Sequence, residues 1–341
     1  MVSNQPPLEG YQPPDMTLWS GRIDAREHRA ALRWHQVVAP LDLQDPEPSI
    51  PRHRRAFCFI GYRYDEGVSR NLGRPGAAEG PAAIRQKMAN LPVAFSSGVQ
   101  LLDAGDITGS KGSVEEAQEA LAAAVQRIVG LGLFPVILGG GHDLTFGHYL
   151  GIRRSLSRET RFGVVSFDAH FDLRAADAGA SSGTSFWQIA REREEVGQPF
   201  DYLCLGIQPS ANTVALFSRA RELGVEHVTA EEMAGRGLDE VKAMLDRFRR
   251  RVDSVMVTVD ADVVSSAFAP GVSAPQPLGL DPETVVRLLK HLLAQGGTVS
   301  LDVAEVSPRF DSDHKTARVA ALVVHALVDT LTPESEAILE G

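Results

Sequence analysis

Four short segments of the sequence contain clustered carboxylate and imidazole side chains, which are groups that bind divalent metal ions in proteins. The segments are Gly139-Gly140-Gly141-His142, Asp168-Ala169-His170-Phe171-Asp172, Asp260-Ala261-Asp262 and Ala304-Glu305. Alternate residues of an extended segment point to the same side. Asp168, His170 and Asp172 can therefore converge, and Asp260 can converge with Asp262. Each segment alone could be an ordinary turn, but together they indicate one site.

The composition of this set predicts two metal ions. Asp168, Asp172, Asp260 and Asp262 supply four carboxylates, and two histidines add imidazole ligands. Four negative charges balance two divalent cations, and six side chains are too many for one catalytic ion. Oxygen and nitrogen ligands without thiolate favour Mn²⁺, with Zn²⁺, Co²⁺ or Fe²⁺ as alternatives. Two ions about 3.5–4 Å apart can share a water, lower its pKa and hold it as hydroxide for attack.

Each of the four segments follows an apolar run that predicts a β-strand. The predicted strands are Phe134–Leu138, Phe162–Phe167, Ser254–Val259 and Thr298–Val303. Predicted helices lie between and after them, including Gly80–Met88, Val114–Val129, Pro282–Leu293 and His314–Leu331. Strands that are almost continuously apolar are typical of a parallel sheet covered on both faces. We therefore predict an α/β fold, a three-layer α/β/α sandwich with a mostly parallel sheet, in which ligands collect at the carboxyl ends of the strands.

The first 50 residues differ in character from the rest. Residues 1–50 are rich in proline and polar groups, and we predict an arm that wraps over the body with a short helix near Ala25–Trp34. No linker-like break follows, so residues 51–341 are predicted to form a single catalytic domain. His148 and Asp302 are interpreted as structural residues, with Asp302 anchoring backbone or a neighbouring arginine.

The charge balance excludes several classes of protein. The 341 residues include 34 Lys and Arg against 44 Asp and Glu, a net charge of −10. Nucleic-acid binding needs a basic face and anionic membranes attract basic segments, so neither partner is expected. No apolar stretch reaches the roughly 18 residues of a membrane helix, and the N-terminus has no signal pattern. With Cys58 and Cys204 both in apolar runs, we predict a cytoplasmic protein with reduced thiols.

Roughly residues 55–335 resemble the ureohydrolase family of arginases and agmatinases. The resemblance rests on Gly80-Pro81-x-x-Ile84-Arg85, on the first three clusters above, and on Leu301-Asp302-Val303-Ala304-Glu305-Val306-x-Pro308. It implies an arginase-like fold, two Mn²⁺ per subunit and hydrolysis of C–N bonds in linear amidines. It also implies that His142, Asp168, Asp172 and Asp260 hold one ion, and that Asp168, His170, Asp260 and Asp262 hold the other. Glu305 would face the amidine group of the substrate.

Other segments are similar to the formimidoylglutamase branch of that family. The loop Ala180–Gln188 lacks the histidine that arginases and agmatinases carry there, and Ala269–Pro275 also fits the branch. The branch hydrolyses N-formimidoyl-L-glutamate to L-glutamate and formamide in histidine degradation, by attack of a metal-bridging hydroxide. Alternatives are a guanidinium hydrolase, such as guanidinobutyrase, agmatinase or arginase, and a non-catalytic metal-binding relative. Because the family commonly assembles, a homo-oligomer acting on a small molecule is expected.

This resemblance suggests roles for further residues. The catalytic candidates are Asp172, Glu305 and His170, and Asp172 would hold the hydroxide and pass its proton to the leaving nitrogen. The substrate carries two carboxylates, which arginine binds bidentately. Candidate substrate-binding residues are Arg74, Asn71, Arg174, Ser182, Thr184 and Glu305. For each arginine, a structural ion pair is the alternative.

Overall fold

A single large sheet runs through the protein. The computed structural model describes residues 7–26, 28–50, 54–109 and 113–332. Within them the strands are β1 (Tyr11–Gln12), β2 (Val38–Pro40), β3 (Arg55–Tyr62), β4 (Val99–Ile107), β5 (Phe134–Leu138), β6 (Phe162–Phe167), β7 (Asp201–Ile207), β8 (Glu226–Thr229), β9 (Ser254–Asp260) and β10 (Thr298–Ala304). Their order across the sheet is β1-β4-β3-β5-β10-β9-β6-β7-β8, and β2 also pairs with β4.

The sheet is parallel except at one edge. Only the short β1, which pairs with β4, is antiparallel among the strand pairs of the described residues. The strands β5, β6 and β7 are buried along their whole length. Both faces of the sheet are therefore covered, as the unbroken apolar runs predicted.

Helices form a layer on each face of the sheet. They are α1 (Glu66–Arg70), α2 (Gly80–Met88), α3 (Val114–Gly130), α4 (Leu144–Ser155), α5 (Ser185–Glu195), α6 (Val214–Glu222), α7 (Ala230–Arg236), α8 (Leu238–Arg251), α9 (Pro282–Ala294) and α10 (Lys315–Leu331). Buried residues of α2, α8, α9 and α10 share one hydrophobic core, and those of α3, α4, α5 and α6 share another. The three-layer α/β/α prediction is confirmed. None of the helices in the described residues is long and apolar enough to cross a membrane.

Strand β3 shows how the sequence divides between these two cores. Phe57 and Phe59 belong to the core under α2, whereas Cys58 and Ile60 belong to the core under α3. Successive side chains of a strand point to opposite faces, so a fully apolar strand supplies both cores at once. Such strands hold the site rigidly at their ends.

The N-terminal segment packs against the edge of this sheet and does not form the predicted helix. Among the described residues near Ala25–Trp34, two 3₁₀ turns are present, Arg29–Ala31 and Trp34–Gln36. Trp34 is fully buried, and its ring stacks on Phe59 at a centroid distance of 6.0 Å. Burial of this large ring, together with hydrogen bonds to neighbouring loops, decides the local conformation. Helical propensity alone could not predict it.

Candidate metal centre

The four predicted clusters lie at the carboxyl ends of four neighbouring strands. In the sheet, β5, β10, β9 and β6 are adjacent in that order, although β10 comes last in the sequence. Insertion of β10 between β5 and β9 brings Glu305 beside His142, whose backbone N–H donates to Glu305 Oε1 at 2.9 Å. The parallel register also aligns Ala304 with Asp260. The sheet order therefore assembles the site.

His142 is the centre of the first group of candidate ligands. Its Nδ1 lies 2.8 Å from Asp172 Oδ2, 3.2 Å from Asp168 Oδ2 and 3.3 Å from Asp260 Oδ2. One ligand atom each from His142, Asp168 and Asp260 could surround a single metal ion. Three carboxylate oxygens thus surround one buried imidazole nitrogen, which is an arrangement suited to a divalent cation.

His170 forms the second group with a shared aspartate. Its Nδ1 lies 3.1 Å from Asp262 Oδ2 and 3.6 Å from Asp168 Oδ1. These three residues could also surround a metal ion. Because Asp168 belongs to both groups, the two candidate positions are adjacent. The geometry is compatible with two ions that share a bridging carboxylate.

Two aspartates are held in the same way at the ends of their strands. Asp168 Oδ1 accepts the backbone N–H of His170 at 2.7 Å, and Asp260 Oδ1 accepts that of Asp262 at 2.8 Å. Each turn fixes one carboxylate oxygen. Asp168 Oδ2 and Asp262 Oδ1 are buried and have no hydrogen-bond donor among the described residues. Buried carboxylate oxygens without donors are costly, so this donor set fits a hard or borderline divalent cation.

Asp172 and Glu305 both have unusual backbone conformations. Their φ angles are 48° and 64°, in the left-handed region that residues other than glycine rarely occupy. The Glu305 N–H donates to the Gly140 carbonyl at 2.9 Å, and Phe186 N–H donates to the Asp172 carbonyl at 3.2 Å. Backbone strain of this kind persists only where surrounding contacts enforce it, and it concentrates at functional sites.

The electrostatics of the cluster also favour a cation. Without a bound cation, burial raises the pKa of Glu305 to about 8, and the negative charge of Asp262 adds to the effect. Burial also raises the pKa of Asp260 well above its usual range, helped by Asp262 and Asp168. Burial lowers the pKa of His170, but the Asp262 charge and hydrogen bonds to both aspartates raise it well above its usual value. The cluster therefore has an excess of negative charge that protons or metal ions must balance.

A cavity of 290 Å³ opens onto this cluster. The predicted site residues that line it are His142, His170, Asp172, Asp260, Asp262, Glu305, Asn71, Arg74, Arg174 and Ser182. Asp168 is fully buried and is not among the lining residues. Leu72, Asn212 and Ser273 lie around the same cavity and were not among the predicted site residues. A small organic substrate could reach the candidate metal positions through this opening.

The two arginines at the cavity have different surroundings. Arg74 Nε donates to the Ser273 carbonyl at 2.9 Å, its Nη2 donates to the Val272 carbonyl at 2.6 Å, and its guanidinium lies 4.2 Å from the centre of the Phe310 ring. The guanidinium of Arg174 is exposed and has no hydrogen bond or ion pair within the part of the chain that the structure describes. Among the described residues, neither arginine forms the structural ion pair that was the alternative.

The three neutral candidates for substrate binding differ in whether they line the cavity. Asn71 and Ser182 line the cavity. Gly183 packs closely against Asn71 and Arg174, since a Cβ atom at Gly183 would lie 2.8 Å from Asn71 Oδ1 and 2.9 Å from Arg174 Cδ. Thr184 does not line it. The Thr184 hydroxyl accepts the Ser181 N–H at 2.9 Å and lies within hydrogen-bond distance of the Ser181 carbonyl and of a nearby glutamine. The expectation for Thr184 needs correction, because the turn uses the hydroxyl that was assigned to substrate.

Several residues that support the site were missed from the sequence. Thr258 Oγ1 lies 2.9 Å from His142 Nε2, and Tyr62 donates its hydroxyl to Asp143 at 2.6 Å. The Asn212 side chain bonds backbone groups on both sides of His170 and so fixes that segment. The polar Thr258 stands between the apolar Val257 and Val259 of β9, two positions before Asp260, and that position was the signal that could have revealed it.

Comparison with known proteins assigns the family. The model of the arginase family matches residues 55–329, which is most of the chain. The chain belongs to the arginase family. Within it, the chain is 45% identical over 325 residues to the formimidoylglutamase of Clostridium tetani, covering 94% of this chain and 96% of that protein.

Solved structures of the arginase family share this fold. The formimidoylglutamase of Bacillus subtilis superposes with a TM-score of 0.77 over 90% of this chain and 94% of that one, at 23% identity. A Trypanosoma cruzi formiminoglutamase solved with Mn²⁺ superposes with a TM-score of 0.73 at 28% identity, over 84% of this chain and 97% of that one. These matches confirm the arginase-like α/β fold predicted from the sequence.

Proposed function

We propose that this protein hydrolyses N-formimidoyl-L-glutamate to L-glutamate and formamide, the reaction that supplies glutamate in histidine degradation. The observation that carries the proposal is 45% identity to a formimidoylglutamase over almost the full length of both chains. Six candidate metal ligands and Glu305 lie close together, and all of them except Asp168 line one cavity, which supports the proposal. A cluster of this kind has the parts of a metal-assisted hydrolase.

The cluster is proposed to hold two Mn²⁺. His142, Asp168, Asp172 and Asp260 would hold one ion, and Asp168, His170, Asp260 and Asp262 would hold the other. When bound, the pair would lower the pKa of a shared water and so supply the nucleophile. The Mn²⁺ in the related Trypanosoma cruzi structure supports this choice of metal.

Glu305 is proposed to orient the formimidoyl group. That group is an amidine, and its cationic form pairs with a carboxylate through two parallel hydrogen bonds. Glu305 Oε1 is fixed by the backbone N–H of His142, and Oε2 is buried without a partner among the described residues. A cationic amidine beside Glu305 would also favour the ionised carboxylate that burial disfavours. Holding the amidine carbon over the cluster lowers the barrier through orientation.

Asp172 is proposed to move the proton. Its carboxylate lines the cavity, with Oδ2 placed 2.8 Å from His142 Nδ1, and its backbone is in the left-handed region. It would accept a proton from the attacking water and pass it to the glutamate nitrogen as the C–N bond breaks. No histidine is present in the loop Ala180–Gln188 to take that role.

The substrate carboxylates need cationic partners, and Arg174 is the better placed of the two arginines. Its guanidinium is exposed at the cavity and has no other partner in the described residues. Asn71 and Ser182, which line the same cavity, would add neutral hydrogen bonds. Arg74 uses two of its five guanidinium N–H donors on the Val272–Ser273 backbone and would shape this wall of the cavity.

Further proposals concern the whole chain. We propose that residues 1–50 form an arm on a single catalytic domain of residues 51–341, and that the protein is a cytoplasmic homo-oligomer. The pairing of β1 and β2 with β4 supports an arm that is fastened to the body. The substrate is a small molecule, and the net charge of −10 gives no support to a nucleic-acid or anionic membrane partner.

An assay with several substrates tests the proposed function. Purified protein loaded with Mn²⁺ would be given N-formimidoyl-L-glutamate, arginine, agmatine and guanidinobutyrate, and products would be separated as formamide, urea and amino acid. Formamide and glutamate are expected from the first substrate only. Urea from a guanidinium substrate would replace the proposal with a guanidinium hydrolase, and no turnover of any substrate with both ions bound would favour a non-catalytic relative.

A further inference from the structure

A chain of buried hydrogen bonds extends from the candidate metal centre into the protein. His142 Nε2 lies 2.9 Å from Thr258 Oγ1, which donates to Asp302 Oδ1 at 2.6 Å. The second oxygen of Asp302, Oδ2, lies 2.6 Å from His148 Nδ1. Thr258, Asp302 and His148 are fully buried, and His142 is almost so. We refer to Thr258, Asp302 and His148 as the relay.

The relay connects elements that are already in register. Thr258 of β9 and Asp302 of β10 are directly opposite each other in the sheet. His148 lies on α4, the helix that begins just after His142. The hydrogen bonds therefore close a ring from His142 through two strands and back to its own helix. The orientation of the imidazole is tied to the sheet and to the helix.

The proton positions in the relay follow from its carboxylate. An ionised aspartate only accepts hydrogen bonds, so Asp302 accepts from the Thr258 hydroxyl and from His148 Nδ1–H. Thr258 has one hydroxyl proton, which this bond uses. Its oxygen must then accept the Nε2–H of His142. That leaves Nδ1 as the ring nitrogen of His142 that faces Asp168, Asp172 and Asp260, where a bound cation would take the place of its proton.

The sequence predicts that Asp302 anchors backbone or an arginine, but its partners among the described residues are the side chains of Thr258 and His148. The structural role predicted for His148 stays a prediction. Within the described ranges no lysine or arginine lies within ion-pair distance of Asp302, and His148 and Thr258 are its side-chain partners. A buried carboxylate that has no lysine or arginine partner is costly. Packing alone also gives no reason for a strand threonine to direct its hydroxyl at such a carboxylate.

We propose that Thr258, Asp302 and His148 are positioning residues that fix the tautomer and ring plane of His142 and so set the affinity of its metal position. A ligating histidine that donates its other ring N–H to a neighbouring acceptor has a more basic ligating nitrogen and a fixed ring orientation. The inference rests on the proposed metal centre but not on the identity of the substrate. It predicts an effect centred on the His142 position, with His170 and its partners affected less.

Metal titration of relay variants tests this inference. Metal-stripped Thr258→Val and Thr258→Ser would be titrated with Mn²⁺, and free Mn²⁺ would be followed by its electron paramagnetic resonance signal. Thr258→Val replaces the hydroxyl with a methyl at similar volume, whereas Thr258→Ser keeps the hydroxyl. Thr298→Val is the matched control, because the buried Thr298 hydroxyl has no partner among the described residues. Circular dichroism would establish that each variant is folded.

The expected result is a loss of affinity at one of the two ions. Removing such a supporting hydrogen bond costs about 10–100-fold in metal affinity. Thr258→Val should weaken one Mn²⁺ by this factor, while Thr258→Ser and Thr298→Val should bind both ions as the parent protein does. Wild-type affinity for both ions in Thr258→Val, or equal losses in Thr258→Ser, would overturn the inference.

A second pair of variants covers the case in which Thr258→Val does not fold. His148→Asn keeps an N–H donor near the Nδ1 position, and His148→Leu removes it. We expect weaker Mn²⁺ binding in His148→Leu than in His148→Asn, and equal affinities would contradict the relay. Protein that binds both ions normally but does not release formamide from N-formimidoyl-L-glutamate would contradict the proposed function and leave the relay intact.

Discussion

Single oxygen atoms decide what each carboxylate at the site can do. Asp168 and Asp260 both use Oδ1 to accept a backbone N–H two residues later. Glu305 likewise uses Oε1 to accept the N–H of His142, and its Oε2 has no partner among the described residues. In each case one oxygen orients the carboxylate and the other remains available. Preorganised groups of this kind need little rearrangement when a cation or an amidine binds.

The role of Asp172 can be tested by changing one atom. Asp172→Asn keeps the size of the side chain but removes the base, so kcat for N-formimidoyl-L-glutamate should fall by about 10²–10⁴-fold. Two Mn²⁺ per chain should remain, measured by elemental analysis of the protein. Asp177→Asn is the control, since Asp177 is exposed on the same loop. Near-normal turnover with both ions bound would remove the proton-transfer role.

The role proposed for Arg174 is to distinguish substrates by charge. Arg174→Met should raise KM for N-formimidoyl-L-glutamate by about 10–100-fold, because a hydrogen bond to a charged group contributes about 1.5–3 kcal/mol. The free energy of unfolding should be unchanged, since the guanidinium has no partner in the described residues. Steady-state kinetics and denaturant unfolding would measure both quantities. Arg158→Met, at an exposed arginine outside the cavity, should alter neither, and an unchanged KM in Arg174→Met would exclude Arg174.

At the scale of elements, a buried ion-pair network joins α2 to strand β4. Arg85 of α2 donates Nε and Nη2 to the two carboxylate oxygens of Asp103, at 2.8 and 2.9 Å, and Nη1 to Asp106 at 2.6 Å. The N-terminal segment joins the same network, because Trp19 Nε1 donates to Asp103 at 2.6 Å. The motif Gly80-Pro81-x-x-Ile84-Arg85 at the start of α2 therefore contributes to the fold, because its arginine pairs with β4 and does not reach the metal cluster.

Loss of this arginine should destabilise the protein severely. Arg85→Met leaves two buried carboxylates without their cation, which costs about 3–5 kcal/mol. The midpoint of denaturant unfolding should fall accordingly. Arg154→Met is the matched control, because Arg154 pairs with Glu119 on an exposed surface where such pairs contribute less than about 1 kcal/mol. Equal losses in the two variants would show that the buried network contributes little.

At the scale of the whole molecule, metal binding should be linked to stability. Four buried carboxylates at the carboxyl ends of the strands, those of Asp168, Asp260, Asp262 and Glu305, repel one another unless cations balance them. A site that binds only the folded protein stabilises it by about 2.7 kcal/mol when the free ion is at 100 times its Kd. Chelation should therefore lower the melting temperature, and Mn²⁺ should restore it, as differential scanning calorimetry would show. A melting temperature independent of chelator would contradict a cation in this cluster.

Metal binding should also release protons. In the side chains alone, burial lowers the pKa of His170, but the Asp262 and Asp168 carboxylates outweigh burial and raise it well above its usual value. Without metal, His170 therefore keeps its proton to higher pH than a free imidazole, and it must lose that proton to bind a cation, so affinity should rise with pH. Calorimetric titration with Mn²⁺ in buffers of different ionisation enthalpy would count the protons. Proton uptake on binding would contradict this assignment.

The sequence predicted the strands of the site almost residue for residue. Phe134–Leu138 and Phe162–Phe167 match exactly, and Ser254–Asp260 is one residue longer than predicted. Buried parallel strands are easy to recognise because both faces must be apolar. The N-terminal residues were harder, because Trp34 and its turns take their conformation from contacts with distant parts of the chain.

The sequence by itself determined the chemistry, since residue types and two-residue spacing select oxygen and nitrogen ligands at strand ends. Tertiary structure decided which residues face one another. Only the sheet order placed β10 between β5 and β9. Only packing showed that the Arg174 guanidinium has no partner in the described part of the chain and that the Thr184 hydroxyl is used within its own turn. The relay behind His142 also depends on register, because Thr258 and Asp302 are 44 residues apart in the chain. Spacing encodes local geometry, whereas contacts between distant segments are fixed only when the whole chain packs.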